Sequence, residues 1–318
     1  MSMIDFLNAN PLVFYCIIGA ASLIIVTKSS DLLVYGISNY AKKLGISDYL
    51  IGFLVVSIGT SLPELVASFN AALLKQGEMV LGTILGSNMF KIPLLGILIL
   101  ICGAIKLNRL SIGTAPITTL ILSLLPALLV IDGNLSRIDG IILLASFLVY
   151  IAKLWYKEGK LGKMKKNVRL ENIYKDSLIF AGALVALLLS ARWLVHSSIQ
   201  ISNILGVSPY IIGLIVIGIG SSSPEIMVQI RSVFKHHSDL ALGNVFGSIV
   251  ANSTFVLGLT AIISPISISI KILLVAFIFL AISMLFILLI TGKDEINWRH
   301  GLVMTSFYIL FLLSEWAF

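Results

Sequence analysis

Charge is scarce in this chain. Only 12% of its 318 residues are Asp, Glu, Lys or Arg, about half of the roughly 25% found in an ordinary soluble domain. That shortage, with 58% hydrophobic residues and a mean hydropathy of +1.06, excludes a water-soluble globular enzyme. Cysteine is nearly absent, and Cys16 and Cys102 both lie in apolar segments; no disulfide framework and no CxxC metal site exist. The four histidines, His196, His236, His237 and His300, sit at segment edges or in loops. Residues 1–10 lack the positive start of a cleaved signal peptide, so the first apolar run reads as a retained span. No DxxxD, HExxH or GxSxG pattern occurs, which removes the signatures of a membrane-embedded transferase or hydrolase. The longest polar stretch, about twenty residues, is too short to fold a soluble module, which argues against a sensor or scaffold.

What is present is apolar length. Fifty-eight per cent of 318 is about 184 residues, enough for about nine or ten spans at roughly 20 apolar residues each. Ten candidate spans lie near 10–36, 48–73, 78–104, 111–131, 137–156, 176–203, 209–233, 239–264, 268–291 and 299–317. The fold class expected is therefore an all-α integral membrane protein of ten transmembrane helices. Between the fifth and sixth, Lys153, Lys157, Lys160, Lys163, Lys165, Lys166, Arg169 and Lys175 make a basic run. Flanked by hydrophobic segments, such a run marks a cytoplasmic loop rather than a nucleic-acid site. With 157–175 inside, the connections on that side carry sixteen Lys and Arg against three, Lys75, Arg137 and Lys271, on the other. The asymmetry places both termini outside, and the cell membrane is the expected location.

The chain repeats itself. LGISDYLIGFLVVSIGTSLPEL, then LGTILGSNMFKI, in the first half is matched by LGVSPYIIGLIVIGIGSSSPEI, then LGNVFGSIVANS, in the second. A constant offset of 161 carries Gly45 to Gly206, Gly59 to Gly220, Pro63 to Pro224, Glu64 to Glu225, Gly82 to Gly243, Gly86 to Gly247 and Ser87 to Ser248. Each half holds five spans, an odd number, so the second half is inverted relative to the first. That plan recurs in secondary transporters, whose sites lie near mid-membrane between the repeats. The expected organisation is a first five-helix repeat at 1–156 (motif about 45–92), the basic loop 157–175, and a second repeat at 176–318 (motif about 206–253).

Of fifteen acidic residues, Glu64 and Glu225 alone fall deep inside spans. Intramembrane carboxylates cost several kcal/mol and face a cavity, an ion or a partner. Each follows a proline, which lacks an amide hydrogen and crowds the carbonyl four residues back; Pro63 frees the carbonyl of Gly59, and Pro224 that of Gly220. Thr60 and Ser221 precede the glutamates by four residues and share their helical faces, with Ser61 and Ser222 beside them. Ser87 and Ser248 follow glycines in small-xxx-small spacings that permit close helix approach. Two carboxylates, up to six hydroxyls and freed carbonyls form an oxygen-only donor set, suited to Ca²⁺, Na⁺ or Mg²⁺ rather than Zn²⁺ or Cu⁺. Ca²⁺, with its 6–8 irregular oxygen ligands, leads.

These paired motifs, GTSLPE at 59–64 and GSSSPE at 220–225, with LGSN at 85–88 and FGSI at 246–249, resemble the two alpha repeats of the Na⁺/Ca²⁺ exchangers in the cation/Ca²⁺ antiporter superfamily. The resemblance covers essentially the whole chain. It implies no enzyme activity and no cofactor, only transported Ca²⁺ and Na⁺ (or H⁺), with the bilayer and inorganic cations as partners and no obligatory protein partner. It further implies that Glu64 and Glu225 are the central Ca²⁺ carboxylates. Thr60, Ser61, Ser221 and Ser222 would add hydroxyl and backbone oxygens, Ser87, Ser248 and Asn252 would line flanking sites, and the first and sixth spans would slide across a fixed core.

One position departs from the family. Four residues past each serine the exchangers carry Asn or Asp; Asn252 fits, but its mate is Lys91. Ser87 and Lys91 share a helical face, so the ammonium is expected in the cavity of Glu64 and Glu225. Three readings of it compete. Snorkelling would have to cover about twelve residues of helix, roughly 18 Å, beyond a lysine's reach. The ammonium could fill the site and abolish transport. The reading favoured is a built-in cation that replaces one bound Na⁺ and alters coupling, including release of a proton when Ca²⁺ enters. An H⁺-coupled or Mg²⁺-selective exchanger, a uniporter and a transport-inactive ion-binding protein remain as alternatives.

Overall fold

The structure is a computed structural model that describes residues 10–43, 57–106, 114–158, 173–234, 238–267, 269–293 and 295–317. The centre of the 157–175 loop and residues 45–56 of the first motif lie outside the described residues. The chain is mostly helical, and all ten apolar runs read from the sequence hold helix. The first half contains α1 (Pro11–Lys43), α2 (Ser57–Thr60), α3 (Leu62–Leu73), α4 (Gly77–Cys102), β1 (Ala104–Lys106), α5 (Ala115–Leu129), β2 (Asn134–Leu135) and α6 (Arg137–Glu158). The second opens with α7 (Ile173–Leu205), α8 (Pro209–Ile212), a π-helical turn at Gly213–Ile217, α9 (Gly218–Ser221) and α10 (Ser223–Phe234). It continues through α11 (Ser238–Val250), a second π-helical stretch at Ala251–Val256, α12 (Leu257–Ile263), β3 (Ile266–Ser267), α13 (Ile270–Thr291), β4 (Glu295–Asn297) and α14 (Trp298–Ala317).

Among the described residues, five helical stretches are long and apolar enough to cross a membrane: Pro11–Leu33, Gly77–Cys102, Ala181–Leu205, Ala241–Ile263 and Leu273–Thr291. A sixth is the pair Pro209–Ser221 and Ser223–Phe234, bent by 44° at the break. The polarity of the protein is inverted relative to a soluble one. Large apolar side chains such as Ile24, Ile121, Leu128, Leu148 and Leu289 face outward, while Ser87, Asn88, Ser222, Asn252 and both repeat glutamates are buried. An apolar exterior of this extent is what a lipid solvent requires. α4 is buried along nearly its whole length, as befits a helix surrounded by others.

Two features hold the halves together. β1 pairs antiparallel with β4, Ile105 opposite Ile296, and β2 pairs with β3, Leu135 opposite Ile266. The 161-residue offset maps one ladder onto the other, so each half lends one strand to each end of the bundle. The second feature is backbone proximity. A Cβ added to Gly82 would lie 2.1 Å from the carbonyl oxygen of Tyr210, and one added to Gly86 would lie 2.1 Å from that of Leu214. From the other side, Gly213 and Gly218 abut the backbone of Met79, Thr83 and Ser87. Only glycine permits α4 to lie so close to the Pro209–Ser221 segment, and this closeness puts Ser87 beside Ser222.

Candidate functional site

The helix breaks fall where the prolines put them. α2 ends at Thr60 and α3 begins at Leu62, with Ser61 between them at φ −83° and ψ 4° and Pro63 in the first turn of α3. Ser222, at φ −72° and ψ 8°, separates α9 from α10 in the same way. Proline is tolerated in a first turn, where its missing N–H has no intrahelical acceptor anyway. The carbonyls freed upstream are not left bare. Ser30 of α1 donates to the oxygen of Gly59 at 3.2 Å, and Ser223 donates to that of Gly220 at 2.6 Å. Each carbonyl keeps a second lone pair.

Around these breaks the site is built from both halves. Glu64 Oε1 accepts from Ser87 Oγ at 2.9 Å and from Ser222 Oγ at 3.0 Å, and the two hydroxyls stand 2.8 Å apart. Ser222 also lies 2.7 Å from the carbonyl oxygen of Gly218, the alternative acceptor for its one proton. Asn252 Nδ2 donates to Ser87 Oγ and to Asn88 Oδ1, each at 3.2 Å, and Asn88 Nδ2 donates to Ser253 Oγ at 2.9 Å. Thr60 Oγ1 reaches Asn244 Oδ1 at 3.4 Å. The π-helical stretch at 251–256 carries Asn252 and Ser253 into this network, an arrangement that recurs at functional sites.

The two glutamates are not equivalent. Glu64 is held by hydroxyls, whereas Glu225 faces Lys91, whose Nζ stands 3.5 Å from Oε1. All three side chains are fully buried. Among the described residues, Glu64 Oε2, Glu225 Oε2, Ser221 Oγ and Asn252 Oδ1 lack a hydrogen-bond donor, and Glu225 Oε1 has only the Lys91 ammonium beside it. Such orphans are rare in folded proteins and each calls for an explanation. No group of three or more His, Cys, Asp or Glu side chains able to hold a metal occurs among the described residues, so any cation here takes its remaining ligands from hydroxyls, amides and carbonyls.

The sequence pattern of the "Sodium/calcium exchanger protein" family matches residues 14–156 and 176–316, both halves of the chain. This protein is a member of the sodium/calcium exchanger family. It is a membrane antiporter and not an enzyme. Among curated relatives, "Inner membrane protein YrbG" of Escherichia coli is 33% identical over 76% of this chain and 78% of its own length. "Sodium/calcium exchanger MaX1" of Methanosarcina acetivorans is 26% identical over 92% of this chain and 95% of its own. A solved structure of the sodium-calcium exchanger NCX_Mj, soaked with 2.5 mM Na⁺ and 0.1 mM Ca²⁺, superposes with a TM-score of 0.66 at 27% identity, covering 96% of this chain and 98% of that one.

Within this exchanger the residues singled out from the sequence divide. Glu64, Ser87, Ser222 and Asn252 converge, Lys91 meets Glu225, and Thr60 is joined to the second half through Asn244. Ser61 and Ser221 are buried at the breaks. Ser248 donates its hydroxyl to the carbonyl of Val245 in its own helix at 3.3 Å, whereas its mate Ser87 bonds Glu64 and Ser222. Sequence reasoning missed Asn88, Asn244, Ser253 and Ser30. Asn88 was within reach, since it completes the LGSN motif beside Ser87. Ser253 was not, because the wide π turn changes which residues share a face. Glu315, buried near the end of α14 with its carboxylate 3.5 Å from Tyr210 Oη, is a further acidic group outside the cluster.

Proposed function

We propose that this protein exchanges Ca²⁺ for Na⁺ (or H⁺) across the cell membrane by alternating access, through ten spans arranged as two inverted five-helix repeats. The single observation that carries the reading is the set of buried, donor-less oxygens on Glu64, Glu225, Ser221 and Asn252. Unpaired buried acceptors cost about 1–3 kcal/mol each, and more when charged; a hard cation that takes 6–8 oxygen ligands removes that cost in one step. Glu64 and Glu225 supply the charge. Thr60, Ser61, Ser221 and Ser222, with the second lone pairs of Gly59 and Gly220, supply neutral oxygens, and Ser87, Ser248 and Asn252 flank them. The exchanged ladders β1–β4 and β2–β3 support the two-repeat plan, because the repeat offset maps one onto the other. The long pairing of α1 with α7, mates in the two halves, suits a unit that slides over the remaining helices to open the site to either side, with termini outside and 157–175 inside. Lys91 modifies the coupling.

The test is ⁴⁵Ca²⁺ flux into proteoliposomes driven separately by outward Na⁺ and outward H⁺ gradients. Uptake under at least one gradient, lost in Glu64→Gln, is the expected result. Equal flux in the variant, or Mg²⁺ uptake without Ca²⁺ uptake, would refute the assignment.

A further inference from the structure

The pairing of Lys91 with Glu225 alone fixes how many cations the site takes. With both carboxylates ionised and the amine protonated, Glu64 and Glu225 contribute −2 and Lys91 +1, all fully buried, so the cluster carries −1 before a substrate binds. One Ca²⁺ brings it to +1, two monovalent cations bring it to the same +1, and a third would bring it to +2. The cost of a net charge in low dielectric rises with its square by Born solvation, so the third monovalent would carry roughly a fourfold larger penalty. Geometry agrees with charge. The ammonium stands 3.5 Å from Glu225 Oε1, on the side of the site where that carboxylate would otherwise attract a monovalent cation. Among the described residues Glu64 faces no ammonium and is oriented instead by the hydroxyls of Ser87 and Ser222, which an ion could share. The mate of Lys91 is Asn252, which is neutral and is engaged with Ser87 and Asn88, so no second tethered charge offsets the first.

We infer that Lys91 is a resident monovalent cation, retained through the transport cycle, and that it sets an electroneutral exchange of one Ca²⁺ for two monovalent ions. This rests on the Ca²⁺-exchange reading above. Lys91 is then a specificity-determining residue for stoichiometry: it leaves the Glu64 side of the site to the mobile ions and holds the Glu225 side itself. Replacing it with a neutral side chain vacates one monovalent position and restores one unit of negative charge, so a third monovalent ion becomes favourable and exchange becomes electrogenic.

Steady-state ⁴⁵Ca²⁺ accumulation in proteoliposomes decides this, with the Na⁺ gradient fixed and the membrane potential clamped by valinomycin and K⁺. A parallel arm with a proton gradient and no Na⁺ identifies which monovalent ion is used. For the full-length wild type, accumulation is expected to be the same at zero potential and at about 59 mV. A net movement of one charge per cycle would shift it tenfold over that interval. The Lys91→Asn variant is expected to show the tenfold shift. Detergent-solubilised protein supplies a measurement independent of transport: where Na⁺ is the ion, two Na⁺ compete with one Ca²⁺ in the wild type and Ca²⁺ binding releases no proton into weakly buffered solution, and where H⁺ is the ion it releases two. A tenfold potential shift in the wild type, or release of one proton per Ca²⁺ bound, would overturn the inference while leaving Ca²⁺ exchange intact. Absence of both Ca²⁺ flux and Ca²⁺ binding would overturn the exchange reading itself, and this inference with it.

Discussion

Gly86, one of the two tightest glycine contacts among the described residues, offers the sharpest perturbation. In Gly86→Ala the new methyl would stand 2.1 Å from the carbonyl oxygen of Leu214 and 2.7 Å from two further backbone atoms of that residue. Ordinary contacts to carbon lie near ~3.5 Å, so α4 must retreat by about 1 Å even when the strain is shared between both helices. Backbone lies on both sides, and no rotamer relieves it. Ser87 is the next residue, and its bonds to Glu64 at 2.9 Å and to Ser222 at 2.8 Å would stretch beyond hydrogen-bonding range. Overpacking costs about 1–3 kcal/mol, and misplacing binding groups by ~1 Å costs on the order of 100-fold in positioned chemistry. The expected outcome is a melting temperature in detergent lower by roughly 2–5 °C and a Ca²⁺ affinity weakened by about 10–100-fold. Gly182→Ala is the control, since a methyl there meets nothing within 4 Å; it should melt like the wild type or slightly higher. Wild-type stability and Ca²⁺ affinity in Gly86→Ala would refute the claim that backbone contact between α4 and the Pro209–Ser221 segment sets the site.

Two further substitutions probe the two glutamates separately. Ser222→Ala removes a donor to Glu64 and a neighbour of Ser87; hydrogen bonds to charged groups contribute about 1.5–3 kcal/mol, so Ca²⁺ affinity measured by isothermal titration should fall about 10–100-fold, and a change under threefold would contradict the assignment. Glu225→Gln strands the Lys91 ammonium in the interior, and breaking a buried pair by one partner costs about 3–5 kcal/mol. Adding Lys91→Gln to Glu225→Gln should restore much of the thermal stability while leaving Ca²⁺ uptake absent, and a double variant no more stable than the single would show that the pair is not coupled.

How far the sequence carries the structure depends on which physical signal is at work. Apolar runs locate the helices, because lipid solvent imposes a length that composition records: Gly77–Cys102 and Ile270–Thr291 fall within a few residues of their expected bounds. Proline locates the breaks at Ser61 and Ser222. The repeat offset exposes Glu64 and Glu225 as mates, and helical spacing sends Lys91 toward the same cavity. The inequality of those mates is not visible in the motif. Which glutamate receives the ammonium depends on how the helices of the two halves cross, and periodicity along one helix does not encode that. Nor does it reveal that Ser248 bonds within its own helix while Ser87 bridges the halves. The carbonyls of Gly59 and Gly220 illustrate the same boundary: proline predicts that they are freed, but only the fold shows the serine hydroxyls that take them up.

The small ladders at the bundle ends carry an evolutionary consequence. Backbone hydrogen bonds do not read side chains, so a joint made of them survives substitution. Ala104 has Pro265 as its mate, Lys106 has Ser267, and Asn134 has Glu295, yet the two ladders still exchange under the repeat offset. Substitution is therefore cheap at the seams, whereas where α4 meets the second half backbone touches backbone and even a methyl group is excluded. A duplicated gene with such joints can let its copies diverge in chemistry, lysine in one and asparagine in the other, without first reinventing how they fit together.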